Sequence, residues 1–137
     1  MSVDFSGRWI MNPRSDPFLP GIEKGTVALR IDHIDPLLQI RIIPSAPGYA
    51  LGHFVLNLRT DDVQVETRTH GMELQTNAVW QEPEELLVSA SIRMGRYERH
   101  FRWSWRLTDV GKTLLVRHVD GELAGRTAVF QQQPLAS

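Results

Sequence analysis

The chain contains no cysteine. That excludes disulfides, thiolate nucleophiles and zinc–thiolate sites, and it leaves the redox compartment open. No apolar run approaches the ~20 residues of a membrane helix. The opening, Met1-Ser2-Val3-Asp4-Phe5, has neither the basic start nor the apolar stretch of a signal peptide. The expectation is a cytoplasmic protein with no membrane span. Excess charge is missing too, since 15 Lys and Arg face 16 Asp and Glu for a net charge of -1. Such a balance has no electrostatic footprint for nucleic acid or an anionic membrane. There is no glycine-rich phosphate loop, nucleophile elbow or Ser/His/Asp signature. His33, His53, His70, His100 and His118 lack the short spacings of a metal site, so no metal and no cofactor is expected. The adjacent acids Asp61-Asp62 and Glu84-Glu85 fall at turns, where solvation is their ordinary role.

What the chain does contain is alternation. In residues 96–107, Tyr97, Arg99, Phe101, Trp103, Trp105 and Leu107 share one parity. Arg96, Glu98, His100, Arg102, Ser104 and Arg106 share the other. A period of two marks a strand with one face in a core and one in water. At a helical period the same aromatics would scatter around the cylinder. The rings of Phe101, Trp103 and Trp105 on one long face need a broad partner surface, which a closed or curled antiparallel sheet provides.

The rest of the chain repeats the pattern. Residues 4–11 read as a short first strand. Residues 12–21 hold three prolines and read as a loop with room for one helical turn, because proline removes ladder donors. Strands are expected over 25–34, 37–43, 49–59, 63–69, 72–80, 86–92, 96–107, 114–118 and 123–131. The turns fall at Asp35-Pro36, residues 44–48, Thr60-Asp61, His70-Gly71, residues 82–84, Met94-Gly95, residues 109–112 and Asp120-Gly121. Residues 131–137 read as a frayed tail. Nine or ten strands on short turns describe an antiparallel meander, and 137 residues form one domain able to bury a core without staples. The expected fold is all-β: a single up-and-down barrel of about 8–10 strands with little helix, spanning residues 1–137.

Asp4-Phe5-Ser6-Gly7-Arg8-Trp9 resembles the opening of lipocalin-like (calycin) domains, small bacterial barrels included, in which a Gly-x-Trp on the first strand closes the barrel floor. Trp105-Arg106-Leu107-Thr108-Asp109-Val110-Gly111-Lys112-Thr113-Leu114 resembles a hairpin of the small bacterial members. Trp80, ahead of a turn and the strand Glu85-Leu86-Leu87-Val88, fits the same layout. The resemblance implies a barrel with Trp9 as a structural floor, and a basic residue, Arg126 or Arg117, stacked upon it. The proline-rich loop leaves little room for the two-helix lid of the fatty-acid-binding branch.

Two functional classes follow. In the first, the barrel binds a small hydrophobic or aromatic molecule. Phe54, Leu56, Trp80, Phe101 and Trp103 then line the lumen, and Tyr97, Arg99 and His118 orient the ligand's polar end. Trp80, next to a turn, is a candidate for the rim of the mouth. Arg99 is either exposed at a strand end or meets an anion, since a buried arginine is costly unless paired. In the second class the barrel is a cofactor-free isomerase, cyclase or hydratase, with His118, Tyr97 or His53 moving a proton. A barrel with a filled lumen that works through its surface is a third option. A monomer or homodimer fits any of these.

Overall fold

The computed structural model describes residues 3–18, 27–44, 54–69, 71–82, 84–108 and 110–133. Among these residues ten strands follow one another: β1 (Gly7–Met11), β2 (Val27–Ile34), β3 (Leu37–Pro44), β4 (Phe54–Arg59), β5 (Val65–Thr69), β6 (Met72–Glu82), β7 (Glu85–Met94), β8 (Tyr97–Thr108), β9 (Thr113–His118) and β10 (Thr127–Gln132). There is no helix among the described residues. The strands form one antiparallel sheet in the order β4-β3-β2-β1-β10-β9-β8-β7-β6-β5. The sheet curls into a nearly closed barrel, the lipocalin-like up-and-down form.

Alternation decides which face turns inward. Burial along β2 and β7 repeats with a period of two, as the polar–apolar pattern of the sequence requires. Leu29 and Ile31 of β2, Ile40 and Ile42 of β3, Leu86 and Val88 of β7, and Trp103 and Trp105 of β8 all enter one continuous core. The turns are built from what the sequence places there. Met94 and Tyr97 are paired across Gly95-Arg96. Gly95 sits at φ +60°, the first central position of a two-residue hairpin turn, where glycine alone is free of strain. Asp35-Pro36, joined by a cis peptide, forms the equally short turn between β2 and β3.

Closure is incomplete between β4 and β5, which are the edges of the sheet. Side chains and single bridges span this seam. The Thr76 hydroxyl donates to the Asn57 carbonyl, and the Asn57 amide reaches the Thr67 hydroxyl at 3.4 Å. Asp61 pairs with Val79, and the Asp62 N–H donates to the Ala78 carbonyl at 2.9 Å. At the opposite side the first and last strands are paired, with Trp9 opposite Gln132.

Several strand ends differ from the sequence expectation. β1 begins at Gly7, because Phe5 leaves the sheet to cap the barrel. β5 begins at Val65, and β10 begins at Thr127 after a turn that buries Leu123. The expected extensions over residues 25–26 and 49–53, the loop over 45–48, and the tail over 134–137 lie outside the described residues.

Candidate functional site

The barrel has two ends with different chemistry. At the first, Phe5 folds over the strand ends. Its ring stacks on His33 and Trp80, with centroids 5.7 and 5.9 Å away. The Trp9 indole, 1% exposed, donates its N–H to the Phe5 carbonyl at 3.0 Å. The Phe5 N–H donates to Nδ1 of His33 at 3.1 Å. Nδ1 is therefore the acceptor, the proton is on Nε2, and Nε2 donates to Asp35 at 2.9 Å. The Thr60 hydroxyl donates to the same carboxylate at 2.7 Å, and the Trp80 side chain lies beside it. Burial acts to raise the Asp35 pKa, but the hydrogen bonds from His33 and Thr60 outweigh it and hold the carboxyl below its ordinary value. Every polar group in this network has a protein partner, so the end reads as a built closure.

The second end is organised by Phe18, from the proline-rich segment after β1. Asn12 to Ser15 form a turn, with the Ser15 N–H donating to the Asn12 carbonyl at 2.9 Å. The chain then dives inward. Phe18 is fully buried, stacked on Trp103 at 5.3 Å and edge-on to Trp105 at 6.0 Å and Phe130 at 5.6 Å. Phe101 lies parallel to Trp103 at 5.3 Å. Polar contacts hold the segment down. His118 donates from Nε2 to the Pro17 carbonyl at 2.9 Å. Asp16 binds Arg126 at 2.9 Å and accepts from the Thr127 N–H at 3.3 Å. The Arg126 guanidinium, through its hydrogen bond, leads the effects that lower the Asp16 pKa. Burial pushes the His118 pKa below its ordinary value, more than the Pro17 contact raises it, so the ring is neutral at pH 7.

The candidate ligand residues thus separate by height. At the Phe18 end, Trp103 stacks on Phe18, Phe101 stacks on Trp103, and His118 holds the adjacent Pro17. Leu56 is fully buried in the wall opposite Ile40. Trp80 belongs to the Phe5 end, where it stacks in the closure. Strand parity revealed its face but not its height. Tyr97 and Arg99 keep the parity of Trp103, but the β7–β8 hairpin runs past the wall and leaves residues 93–100 exposed on both sides. Tyr97 is 46% exposed, its hydroxyl accepts from the Arg99 Nε–H at 2.7 Å, and the anion near Arg99 is Glu122 at 3.7 Å. His53 and the side chain of Phe54 lie outside the described residues. Arg126, at the Phe18 end, is remote from Trp9, and Arg117 points outward from β9.

Sequence reasoning missed Phe18, Phe5 and Phe130. Phe18 left one signal: a large apolar residue beside Leu19 amid prolines, where a solvated loop has no use for it. Outside the barrel, a groove of about 430 Å³ beside the seam is lined by Asp32, Ile34, Leu37, Gln39, Asn57 and Arg59, among others. No group of three or more His, Cys, Asp or Glu among the described residues is arranged to hold a metal ion.

No family model and no curated protein matches the chain. Solved structures do. The chain is similar to human cRBP IV at 14% identity, with a TM-score of 0.64 over 96% of this chain and 99% of that one. It is similar to the REP1-NXSQ fatty acid transporter at 11% identity, with a TM-score of 0.62 over 97% and 98%. It also resembles secretory abundant heat soluble protein 4 from Ramazzottius varieornatus, at 11% identity and a TM-score of 0.64 over 95% of both chains. At such identities the likeness is one of fold.

Proposed function

We propose that the protein is a one-domain binder of a small hydrophobic molecule, held inside the barrel at the Phe18 end. The observation that carries this reading is the aromatic cluster of Phe18, Phe101, Trp103 and Trp105 on the inward face, in an interior where no Lys, Arg, Asp or Glu among the described residues is buried. An apolar ligand there gains roughly 25 cal/mol for each Å² removed from water. The aromatic faces favour a flat or unsaturated ligand. That one structural neighbour is a fatty acid transporter supports the class of ligand. Trp9 and Trp80 serve the closed end, and Leu56 is wall. Phe18 acts as a cover residue, tied by Asp16 and Pro17 to the strands beneath it.

Among the described residues the catalytic alternative has no observation of its own. His118 is engaged with Pro17, and the Tyr97 hydroxyl is engaged with Arg99 in solvent.

The test is native mass spectrometry of the purified protein, followed by tryptophan fluorescence against apolar acids, terpenoids and polyketides. A co-purified small molecule or saturable one-to-one quenching, lost in Trp103→Ala, is the expected result. Silence in both experiments with folded protein refutes the proposal.

A further inference from the structure

The four tryptophans divide into two pairs. At the Phe5 end, Trp9 donates to a backbone carbonyl, and the half-buried Trp80 lies beside the Asp35 carboxylate and helps to hold its pKa down. At the Phe18 end, the indole nitrogens of Trp103 and Trp105 are fully buried and have no hydrogen-bond partner. Each residue is 1% exposed. Buried donors left unpaired are rare in folded proteins, and two neighbouring ones call for an account. The chain satisfies the buried Trp9 indole where it only closes the barrel, so the unpaired pair marks a place that something else completes. Both residues belong to the inward face of β8, two positions apart, with ring centroids 6.3 Å apart and planes nearly perpendicular. Phe101 and Phe18 both lie nearly parallel to the Trp103 ring, so its face meets apolar rings and its N–H, on the ring edge, is the one polar group it carries.

An indole N–H is a donor only, so its partner must be an acceptor. A carboxylate is the strongest acceptor, but burying one without a counter-charge is prohibitive. No Lys or Arg among the described residues is buried. We infer that the Trp103 and Trp105 indole N–H groups form the polar recognition point of the barrel, and that they take a neutral oxygen acceptor (a carbonyl, ester or ether oxygen) on an otherwise apolar, flat ligand. This rests on the binding function proposed above and specifies its ligand class. It separates this barrel from one that selects free acids.

Three probes of one ring size separate the outcomes: 2-acetylnaphthalene, 2-ethylnaphthalene and 2-naphthoate, titrated into protein carrying ¹⁵N-labelled indoles. The ketone should bind about tenfold more tightly than the hydrocarbon, with naphthoate the weakest, given the usual net value of one or two neutral hydrogen bonds. Two of the four indole N–H resonances should move downfield with the ketone and stay in place with the hydrocarbon. Trp103→Phe and Trp105→Phe, which keep an aromatic ring but lose the N–H, should each shrink the ketone's advantage over the hydrocarbon about fivefold, whatever the lost contact area costs both ligands. Should either variant fail to fold, the wild-type resonance shifts decide. If the hydrocarbon matches the ketone and no indole resonance moves, the acceptor assignment is overturned while the binding function stands. Tighter binding of naphthoate overturns it as well. If none of the three binds, the flat-ligand assignment is overturned, while the binding function is decided by the mass spectrometry and fluorescence screen above.

Discussion

Replacing Phe18 by alanine asks how much of the barrel's stability comes from a residue that belongs to no strand. The side chain is fully buried and touches three aromatic rings. Burying a phenylalanine contributes about 1.5–3 kcal/mol by area, and favourable ring pairs add about 0.5–1.5 kcal/mol each. In a rigid core, Phe→Ala costs about 3–5 kcal/mol. Here the segment can lift away instead of leaving a cavity, so the loss is capped by the free energy of docking residues 12–18. We expect about 3 kcal/mol, which for a domain of this size lowers Tm by about 10 °C. Urea unfolding followed by tryptophan fluorescence measures it, and the folded-state emission should shift red as water reaches Trp103. Arg126→Ala, which breaks the Asp16 ion pair, should cost less in wild type and nothing in the Phe18→Ala background, where the segment is already free. A loss below about 1 kcal/mol with unshifted emission would show that Phe18 does not hold the segment in place, and would refute the reasoning.

His118 has a folded-state pKa below the ordinary 6.5, so the unfolded chain binds the proton more readily than the fold does. Its contribution to stability is complete above pH 6.5 and is lost as pH falls from there toward the folded value. His118→Gln, which keeps a donor for Pro17, should flatten that part of the stability–pH curve, and an unchanged slope would assign it elsewhere. Val110 is fully exposed at φ +55°, a region costly for a β-branched residue. Val110→Asn should raise stability by about 1 kcal/mol in the same urea assay, and a loss would mean that the Val110 side chain makes a contact of its own.

The architecture was legible because alternation is a property of sequence that a half-buried strand imposes directly. β7 and β8 showed it most cleanly, and the Met94-Gly95 turn between them carries the glycine that its backbone demands. Parity also put Trp103, Trp105 and Phe101 on one face. It says nothing of height along the barrel axis, so Trp80 read as a rim residue although it stacks on Phe5. Nor does parity show where the wall ends. Tyr97 and Arg99 continue the aromatic face by sequence, but they sit on a hairpin that has already left the barrel. Phe18 and Phe5 were the hardest to see, because their burial follows from how loops fold back on strands, and no period reports that. The unpaired indoles of Trp103 and Trp105 were invisible for a related reason: a missing partner can be recognised only when all the neighbours are in place.

The pairing of β1 with β10 has a consequence for how the molecule is made. Trp9 meets Gln132 across nearly the whole length of the chain, while the two edges of the sheet, β4 and β5, are neighbours in sequence. The cheapest closure, between β4 and β5, is therefore the one the barrel leaves loosest. The most expensive in chain entropy is a hydrogen-bonded ladder of three residue pairs in the middle of the sheet. Until residues 127–132 are available, β1 and β9 each present an open edge with apolar residues beside it, a template for pairing with another chain. Contacts of such separation slow folding. A nascent chain of this protein thus stays open to pairing with other chains until β10 emerges, when the other nine described strands are ready and the barrel still cannot close.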